Sequence, residues 1–185
     1  MARLDRPRET ARLRLRPFED RDLGALTYLL ADESVNRYLY SSPRTAEEAR
    51  ESLVRRHARD ADPDDPVINV CVSLRGTDEM IGDFMVRWDH DEHRQGEVGG
   101  SLLPEHQGRG YATEVYGVLL EVAFDTLGLH RVVGRCDARN VASVRSLEKA
   151  GLSREAHFVE NEFVKGEWTS EVVLAIRAAQ WRATR

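Results

Sequence analysis

A glycine-rich segment in the middle of the chain constrains its fold most. Residues 107–113 read Gln-Gly-Arg-Gly-Tyr-Ala-Thr, after two leucines that end an apolar, strand-like run and before a helical pattern of apolar residues. Glycines let backbone N–H groups approach a ligand closely. A helix N-terminus adds unpaired donors and the positive end of its dipole. The segment therefore predicts a strand–loop–helix unit that binds a phosphate or pyrophosphate.

The spacing of this segment excludes two common phosphate loops. A P-loop requires Lys and then Ser or Thr after its last glycine, whereas Tyr111 and Ala112 follow Gly110. A Rossmann fingerprint requires a third glycine, where this chain has Thr113. The pattern present is Gln-x-x-Gly-x-Ala, beginning at Gln107. On this loop alone, an ordinary strand-to-helix turn remains the alternative.

A second motif follows a strand-like run at residues 131–136. Residues 140–152 contain Asn-x-x-Ser-x-x-x-Leu-Glu-Lys-x-Gly-Leu. Asn140 is a favourable helix N-cap, and Gly151 stands where a glycine commonly ends a helix. By itself, the motif predicts a short, well-capped helix.

In this order and at this interval, the two motifs resemble those of the GCN5-related N-acetyltransferases, the GNAT superfamily. The flanking Glu97-Val98-Gly99 and Lys165-Gly166-Glu167-Trp168 resemble the RimJ/RimL branch, and the resemblance covers about residues 10–177. It implies direct transfer of an acetyl group from acetyl-CoA to a primary amine. The acceptor would be a protein N-terminal amine or a small molecule such as an antibiotic.

The resemblance also implies the fold class. We expect an α/β acetyltransferase fold, with a twisted, mostly antiparallel sheet, two splayed central parallel strands and helices on both faces. The hydrophobic pattern predicts the order β-α-α-β-β-β-α-β-α-β-β. A chain of 185 residues is most simply one domain, residues 1–185, with a flexible segment at residues 1–9.

The family pattern assigns the cofactor to the two motifs. Backbone groups of Ser101, Leu102 and Leu103 would bind the pantetheine arm like an added strand, with Asn140 and Ser143 on the opposite side. The residues expected to hold the pyrophosphate are Gln107, Gly108, Arg109, Gly110, Tyr111, Ala112 and Thr113.

Direct transfer requires a general base for the amine, and two glutamates are candidates. By resemblance, Glu162 in the late segment faces the acceptor, and Glu97 lies on the strand beside the thioester. Each could equally be an exposed strand residue. A strand amide near Leu102 would stabilise the oxyanion. Leu147 stands where many relatives have a tyrosine, so Ser143 is the candidate acid, or merely a serine in the first helical turn.

Two departures from the branch affect the acceptor. Gly100 and Ser101 stand where bulky aromatic residues are usual, which could widen the acceptor channel, and Ser170 replaces a usual aspartate. Both put a ribosomal substrate in doubt. A catalytically idle CoA-binding sensor or interaction module is the alternative function.

Composition limits the remaining classes. A hydrophobic content of 41% and a charged content of 32% are typical of a soluble globular protein, and the net charge of −5 argues against general nucleic-acid binding. Cys71 and Cys136 show no zinc spacing, so we expect buried thiols, a cytoplasmic location and no metal. The acidic runs at 60–66 and 89–93 are interpreted as a solvated loop and turn. No membrane partner is expected, and family analogy allows a homodimer.

Overall fold

The computed structural model describes residues 7–62, 64–89 and 92–183. In this part of the chain, eight strands form a single sheet: β1 (Arg8–Glu9), β2 (Leu13–Arg16), β3 (Val67–Leu74), β4 (Met80–Trp88), β5 (Gln95–Leu102), β6 (Arg131–Asp137), β7 (Ser153–Val164) and β8 (Glu167–Arg177). The helices are α1 (Leu23–Ala31), α2 (Glu33–Asn36), α3 (Ala46–Ala61), α4 (Tyr111–Glu121), α5 (Val141–Lys149) and α6 (Ala178–Ala183).

The strand order across the sheet is β1-β2-β3-β4-β5-β6-β8-β7. Neighbouring strands are antiparallel except β5 and β6, which lie parallel at the centre. α4 connects these two strands, as a parallel crossover requires. The predicted mixed α/β fold is therefore confirmed.

Helices cover both faces of the sheet. Val98 and Cys136 belong to a core that also contains Val115 of α4 and Val144 of α5, and we call this side the α4 face. Residues of α1 and α3 pack with Leu103 in a second core on the opposite side, the α1 face. Because side chains alternate along a strand, each central strand contributes to both faces.

Local capping follows the sequence. Thr45 and Glu48 form a capping box at the start of α3. The Oδ1 atom of Asn140 accepts a hydrogen bond of 3.1 Å from Ser143 N at the start of α5. Gly151, with φ of 104°, follows α5 in a left-handed conformation.

Several elements differ from the predicted order. β1, α2 and α6 are additional, and α3 extends to Ala61, so Asp60 is helical rather than part of a loop. α4 continues into a π-helical turn, Val122–Thr126. Within the segment 1–9 expected to be flexible, Arg8–Glu9 pair with β2, while residues 1–6 lie outside the described residues. Parts of the runs at 60–66 and 89–93, namely Pro63, His90 and Asp91, also lie outside them.

Candidate active site

The central strands separate halfway along their length. β5 and β6 pair only from Gln95 with Arg131 to Glu97 with Val133. Each nevertheless remains paired on its outer side, β5 with β4 up to Leu102 and β6 with β8 up to Asp137. The carboxyl-terminal halves of the two parallel strands therefore border an opening, which we call the gap.

Main-chain groups of β5 point into the gap. Asp89 N donates to Gln95 O at 3.2 Å and Leu103 N donates to Ile81 O at 2.9 Å, so the odd-numbered residues of β5 bond to β4. Since alternate residues of a strand direct their backbone groups to opposite sides, Gly100 and Leu102 direct theirs towards the gap. They can pair with a ligand of amide character placed there.

The glycine-rich loop follows this strand end directly. Gln107 Nε2 donates to Leu102 O at 3.0 Å, which ties the loop to β5. Gly108 and Gly110 have φ of 73° and 79°, a left-handed conformation that glycine adopts without steric cost. Gly110 is the N-cap of α4, and no side chain among the described residues caps this terminus. Its first backbone N–H groups are therefore available to an anion.

A residue far away in sequence holds this loop. Arg12, just before β2, donates from Nη1 to Arg109 O at 2.9 Å, and its guanidinium lies 4.6 Å from the centre of the Tyr111 ring. Its Nε and Nη2 atoms bind Glu114 Oε2 at 2.8 and 2.6 Å. Thr10 Oγ1 donates to the other oxygen of Glu114. Burial raises the pKa of Glu114, but these hydrogen bonds outweigh it and lower the pKa below its ordinary value.

On the far side of the gap, Ser143 lies in the first turn of α5. Its hydroxyl is 3.1 Å from Cys136 Sγ and also contacts the buried Tyr116. Burial raises the pKa of both Cys136 and Tyr116, so both groups stay protonated at neutral pH. Asn140 is occupied as the N-cap through Oδ1. The structure therefore brings Ser143 and the glycine-rich loop to the same α4 face.

The α1 face of the gap carries carboxylates. Glu97 Oε2 accepts a hydrogen bond of 2.6 Å from Arg87 Nη2 and lies 3.6 Å from Arg135 Nε. Glu171 of β8, only 6% exposed, accepts from Arg135 Nη1 at 3.2 Å and from the Tyr40 hydroxyl at 3.1 Å. Arg135 thus bridges the two glutamates.

Glu162 is exposed and lies on β7 opposite Thr169 of β8. Burial and the negative charges of Glu171 and Glu162 raise the pKa of Tyr40. Because residues paired across two strands point to the same face, Glu162 lies on the same face as Thr169 and Glu171. Both candidate bases, Glu97 and Glu162, therefore lie on the α1 face, opposite Ser143.

Sequence reasoning missed Glu171 and Tyr40. The available signal was an acidic residue opening an otherwise apolar strand segment, Val172 to Ile176. A carboxylate at such a position is buried against the sheet and needs polar partners.

A small pocket next to Tyr40 is lined by further polar residues, including Asp137 and Arg139. Asp137 is buried and accepts hydrogen bonds from three donors of Arg139: Nη2 at 2.6 Å, Nε at 2.9 Å and the backbone N at 2.9 Å. Burial raises the pKa of Asp137, but the bonds from Arg139 outweigh it and lower the pKa. Arg139 also lies 5.9 Å from the ring of Tyr38, and both residues line the pocket.

The two departures from the family pattern have structural explanations. A Cβ atom at Gly100 would lie 2.4 Å from the Phe84 ring and 2.6 Å from Asp83 O. Packing against Phe84 therefore requires a glycine at this position. Ser170 Oγ accepts a hydrogen bond of 3.0 Å from Glu160 N, within the irregular part of the β7–β8 pairing.

Among the described residues, no group of three or more His, Cys, Asp or Glu side chains is arranged to hold a metal ion. No described helix is both long and apolar enough to cross a membrane.

Comparison with known proteins agrees with this geometry. The family profile described as "Acetyltransferase (GNAT) domain" matches residues 12–153. The chain belongs to the GNAT acetyltransferase family. It is 32% identical over 172 residues to the uncharacterized N-acetyltransferase YnaD of Bacillus subtilis (strain 168), covering 93% of this chain and 97% of the relative. Membership of this family makes the protein an acyltransferase.

Two other similarities are informative. The spermidine N(1)-acetyltransferase of Vibrio cholerae is 28% identical, over 85% of this chain and 88% of that protein. The crystal structure of a GNAT-family acetyltransferase from Bacillus anthracis superimposes with a TM-score of 0.83 at 26% identity, covering 94% and 99% of the two chains. Enzymes of the family use acetyl-CoA as the acetyl donor.

Proposed function

We propose that this acetyltransferase transfers an acetyl group from acetyl-CoA directly to a primary amine. One observation carries the proposal: the gap between β5 and β6 connects an uncapped helix N-terminus on the α4 face with a set of carboxylates on the α1 face. Donor and acceptor can therefore approach the same point from opposite sides of the sheet.

The residues present fit a CoA cofactor. Left-handed glycines and the open N–H groups of α4 suit its pyrophosphate, with Gln107, Gly108, Arg109 and Gly110 forming the loop and Tyr111, Ala112 and Thr113 the first helical turn. The strand end suits its pantetheine arm, with the backbone groups of Gly100 and Leu102 on one side and Asn140 and Ser143 on the other. The expected backbone contribution of Ser101 and Leu103 is not retained, because their main-chain groups face β4. When bound, acetyl-CoA supplies an acetyl group activated as a thioester.

Side chains of the site then assist two proton transfers, one from the acceptor amine and one to the leaving thiolate. A carboxylate on the α1 face takes a proton from the ammonium group of the acceptor, which frees the nitrogen lone pair. The N–H of Leu102 donates to the acetyl oxygen while the new C–N bond forms and the C–S bond breaks. The leaving thiolate would receive a proton through the Ser143 hydroxyl, which regains one from solvent. The second amine proton and the proton held by the carboxylate leave to solvent, so one proton is released overall. No covalent enzyme intermediate is needed.

Glu162 and Glu97 are the two candidate bases. Glu162 is exposed, whereas Glu97 is held by Arg87. The Glu97 carboxylate is already engaged by Arg87, whereas Glu162 is open to an incoming amine, so the geometry favours Glu162.

Three glutamine variants distinguish the candidates. For the true base, Glu162→Gln or Glu97→Gln lowers kcat about 100-fold or more. Glu155→Gln is the matched control, since Glu155 lies on β7 with Glu162 but pairs with Arg131 away from the gap. Normal kcat in both site variants would exclude a carboxylate base at these positions.

The acceptor is a cationic primary amine. The carboxylates of the α1 face support this choice, as does the similarity to a spermidine acetyltransferase. Membership of the RimJ/RimL-like branch, supported by Asn140, Ser143 and Leu147 in the second motif, would instead favour a protein N-terminal amine.

A direct test combines binding and turnover. Calorimetry measures CoA binding, and thiol release from acetyl-CoA is followed with spermidine, small monoamines, aminoglycosides and N-terminal peptides as acceptors. Turnover with one class identifies the acceptor. Binding with no turnover on any acceptor would favour a CoA-binding module, and no binding would refute the assignment of the loop.

A further inference from the structure

Arg12 lies near the start of the chain, about a hundred residues before the glycine-rich loop that it contacts. Its guanidinium makes three kinds of contact there: Nη1 donates to the carbonyl of Arg109, the cation lies over the Tyr111 ring, and Nε and Nη2 both donate to Oε2 of Glu114. Arg12 N lies 3.3 Å from Glu114 Oε1 as a further donor. Two charge-assisted hydrogen bonds from one guanidinium to the same carboxylate oxygen fix the position of that oxygen.

Glu114 explains why such a contact is needed. It is the acidic residue in the first turn of α4. A carboxylate there occupies the positive end of the helix dipole, which a pyrophosphate would use. Arg12 and Thr10 bind both of its oxygens, so its negative charge is compensated before any anion arrives.

The contact with Arg109 controls the loop itself. A carbonyl oxygen within a phosphate-binding loop repels an anion if it turns inwards. Arg12 Nη1 holds Arg109 O at 2.9 Å on the side of β2, between the left-handed Gly108 and Gly110. The loop is thereby preorganised, with its N–H groups left free for the ligand.

We propose that Arg12 is a positioning residue for the CoA pyrophosphate: it neutralises Glu114 and fixes the Arg109 carbonyl away from the cofactor. This inference rests on the proposed use of the loop for acetyl-CoA. It adds a residue outside both sequence motifs to the cofactor site.

The test compares Arg12→Met, Glu114→Gln and the double variant. Arg12→Met is expected to raise the Kd for CoA and the KM for acetyl-CoA about tenfold, the scale of one charged hydrogen bond. kcat and the acceptor KM should remain within about twofold of wild type. Glu114→Gln should not weaken CoA binding, and the double variant should recover most of the affinity, because no unpaired carboxylate remains beside the loop.

Arg8→Met is the matched control. Arg8 pairs with Glu121 at 3.7 Å, and Glu121 lies on α4 two turns beyond Glu114. The Arg8→Met variant therefore also removes a surface ion pair from this helix. It should leave the Kd for CoA unchanged. Melting temperatures of all variants report their folding.

The outcomes separate two failures. If wild type does not bind CoA, the proposed function fails. If wild type binds CoA and Arg12→Met binds it equally well, the positioning role is refuted. The role is also refuted if Glu114→Gln and Arg12→Met weaken binding equally and the double variant recovers nothing, because that pattern indicates a purely structural contact.

Discussion

The hydroxyl of Tyr40 donates a hydrogen bond of 3.1 Å to the buried carboxylate of Glu171. These residues are 131 positions apart, and their contact joins the segment after α2 to the sheet beside the gap. The other oxygen of Glu171 binds Arg135, which also approaches Glu97. The Tyr40 contact therefore helps to fix the charged surface that an amine would meet.

Tyr40→Phe should weaken the acceptor side of the site alone. Loss of one hydrogen bond to a charged group releases the segment around Tyr40, and we expect the acceptor KM to rise about tenfold. The KM for acetyl-CoA should stay unchanged, because Tyr40 lies on the α1 face and the loop on the α4 face. Steady-state kinetics with each substrate varied in turn measures both.

Tyr28→Phe provides the comparison for this prediction. Tyr28 is on α1 and is 51% exposed, the same fraction as Tyr40. Its variant should match wild type in both KM values. Equal acceptor KM values for Tyr40→Phe and wild type would show that the contact with Glu171 does not shape the acceptor site.

Gly100→Ala should destabilise the protein. The added methyl group would lie 2.4 Å from the Phe84 ring, which itself packs edge-on against Tyr116 at a centroid distance of 5.5 Å. Overpacking of this kind costs about 1–3 kcal/mol. The prediction is a lower free energy of unfolding in urea.

Gly117→Ala is the opposite case. Gly117 is inside α4, and apart from the neighbouring backbone of that helix no atom of the described residues lies within 4 Å of a Cβ placed there. Alanine in a helix is favoured over glycine by about 0.5–1 kcal/mol, so this variant should be slightly more stable than wild type.

A Gly100→Ala variant as stable as wild type would contradict the first of these two predictions. It would mean that β5 can shift away from Phe84.

Local features of the site could be predicted from the sequence. The Asn140 cap, the glycine that ends α5 and the strand–loop–helix order around residues 107–113 depend on residues close together in the chain. The separation of β5 from β6 was implied by the family resemblance, and the register confirms it.

Long-range polar pairs could not be predicted in the same way. Arg12 meets Glu114 across 102 positions, and both residues look like ordinary surface charges in the sequence. Their pairing depends on where β2 lies relative to α4. The same holds for Tyr40 and Glu171, because only the β6–β8 register brings Glu171 to the gap, opposite Asp137.

A buried ion pair below α1 gives a pH-dependent stability. Arg16 binds Asp22 through two parallel hydrogen bonds of 2.7 and 2.8 Å, and both side chains are at most 3% exposed. Burial raises the pKa of Asp22, but the hydrogen bonds from Arg16 and from Glu19 N outweigh it, so the net pKa is lowered. The folded state therefore binds the Asp22 proton more weakly than the unfolded state.

Because the folded pKa lies below the ordinary carboxyl value of about 3.9, the contribution of Asp22 is complete above that pH and is lost as pH falls through the folded pKa. Asp22→Asn leaves Arg16 buried without its main partner and should cost about 3 kcal/mol at pH 7. The difference from wild type should shrink at pH 3. Asp20→Asn, at a side chain 98% exposed in the same turn, should change stability little at either pH. A constant difference between Asp22→Asn and wild type across urea titrations at both pH values would show that the carboxylate charge is not what stabilises this fold.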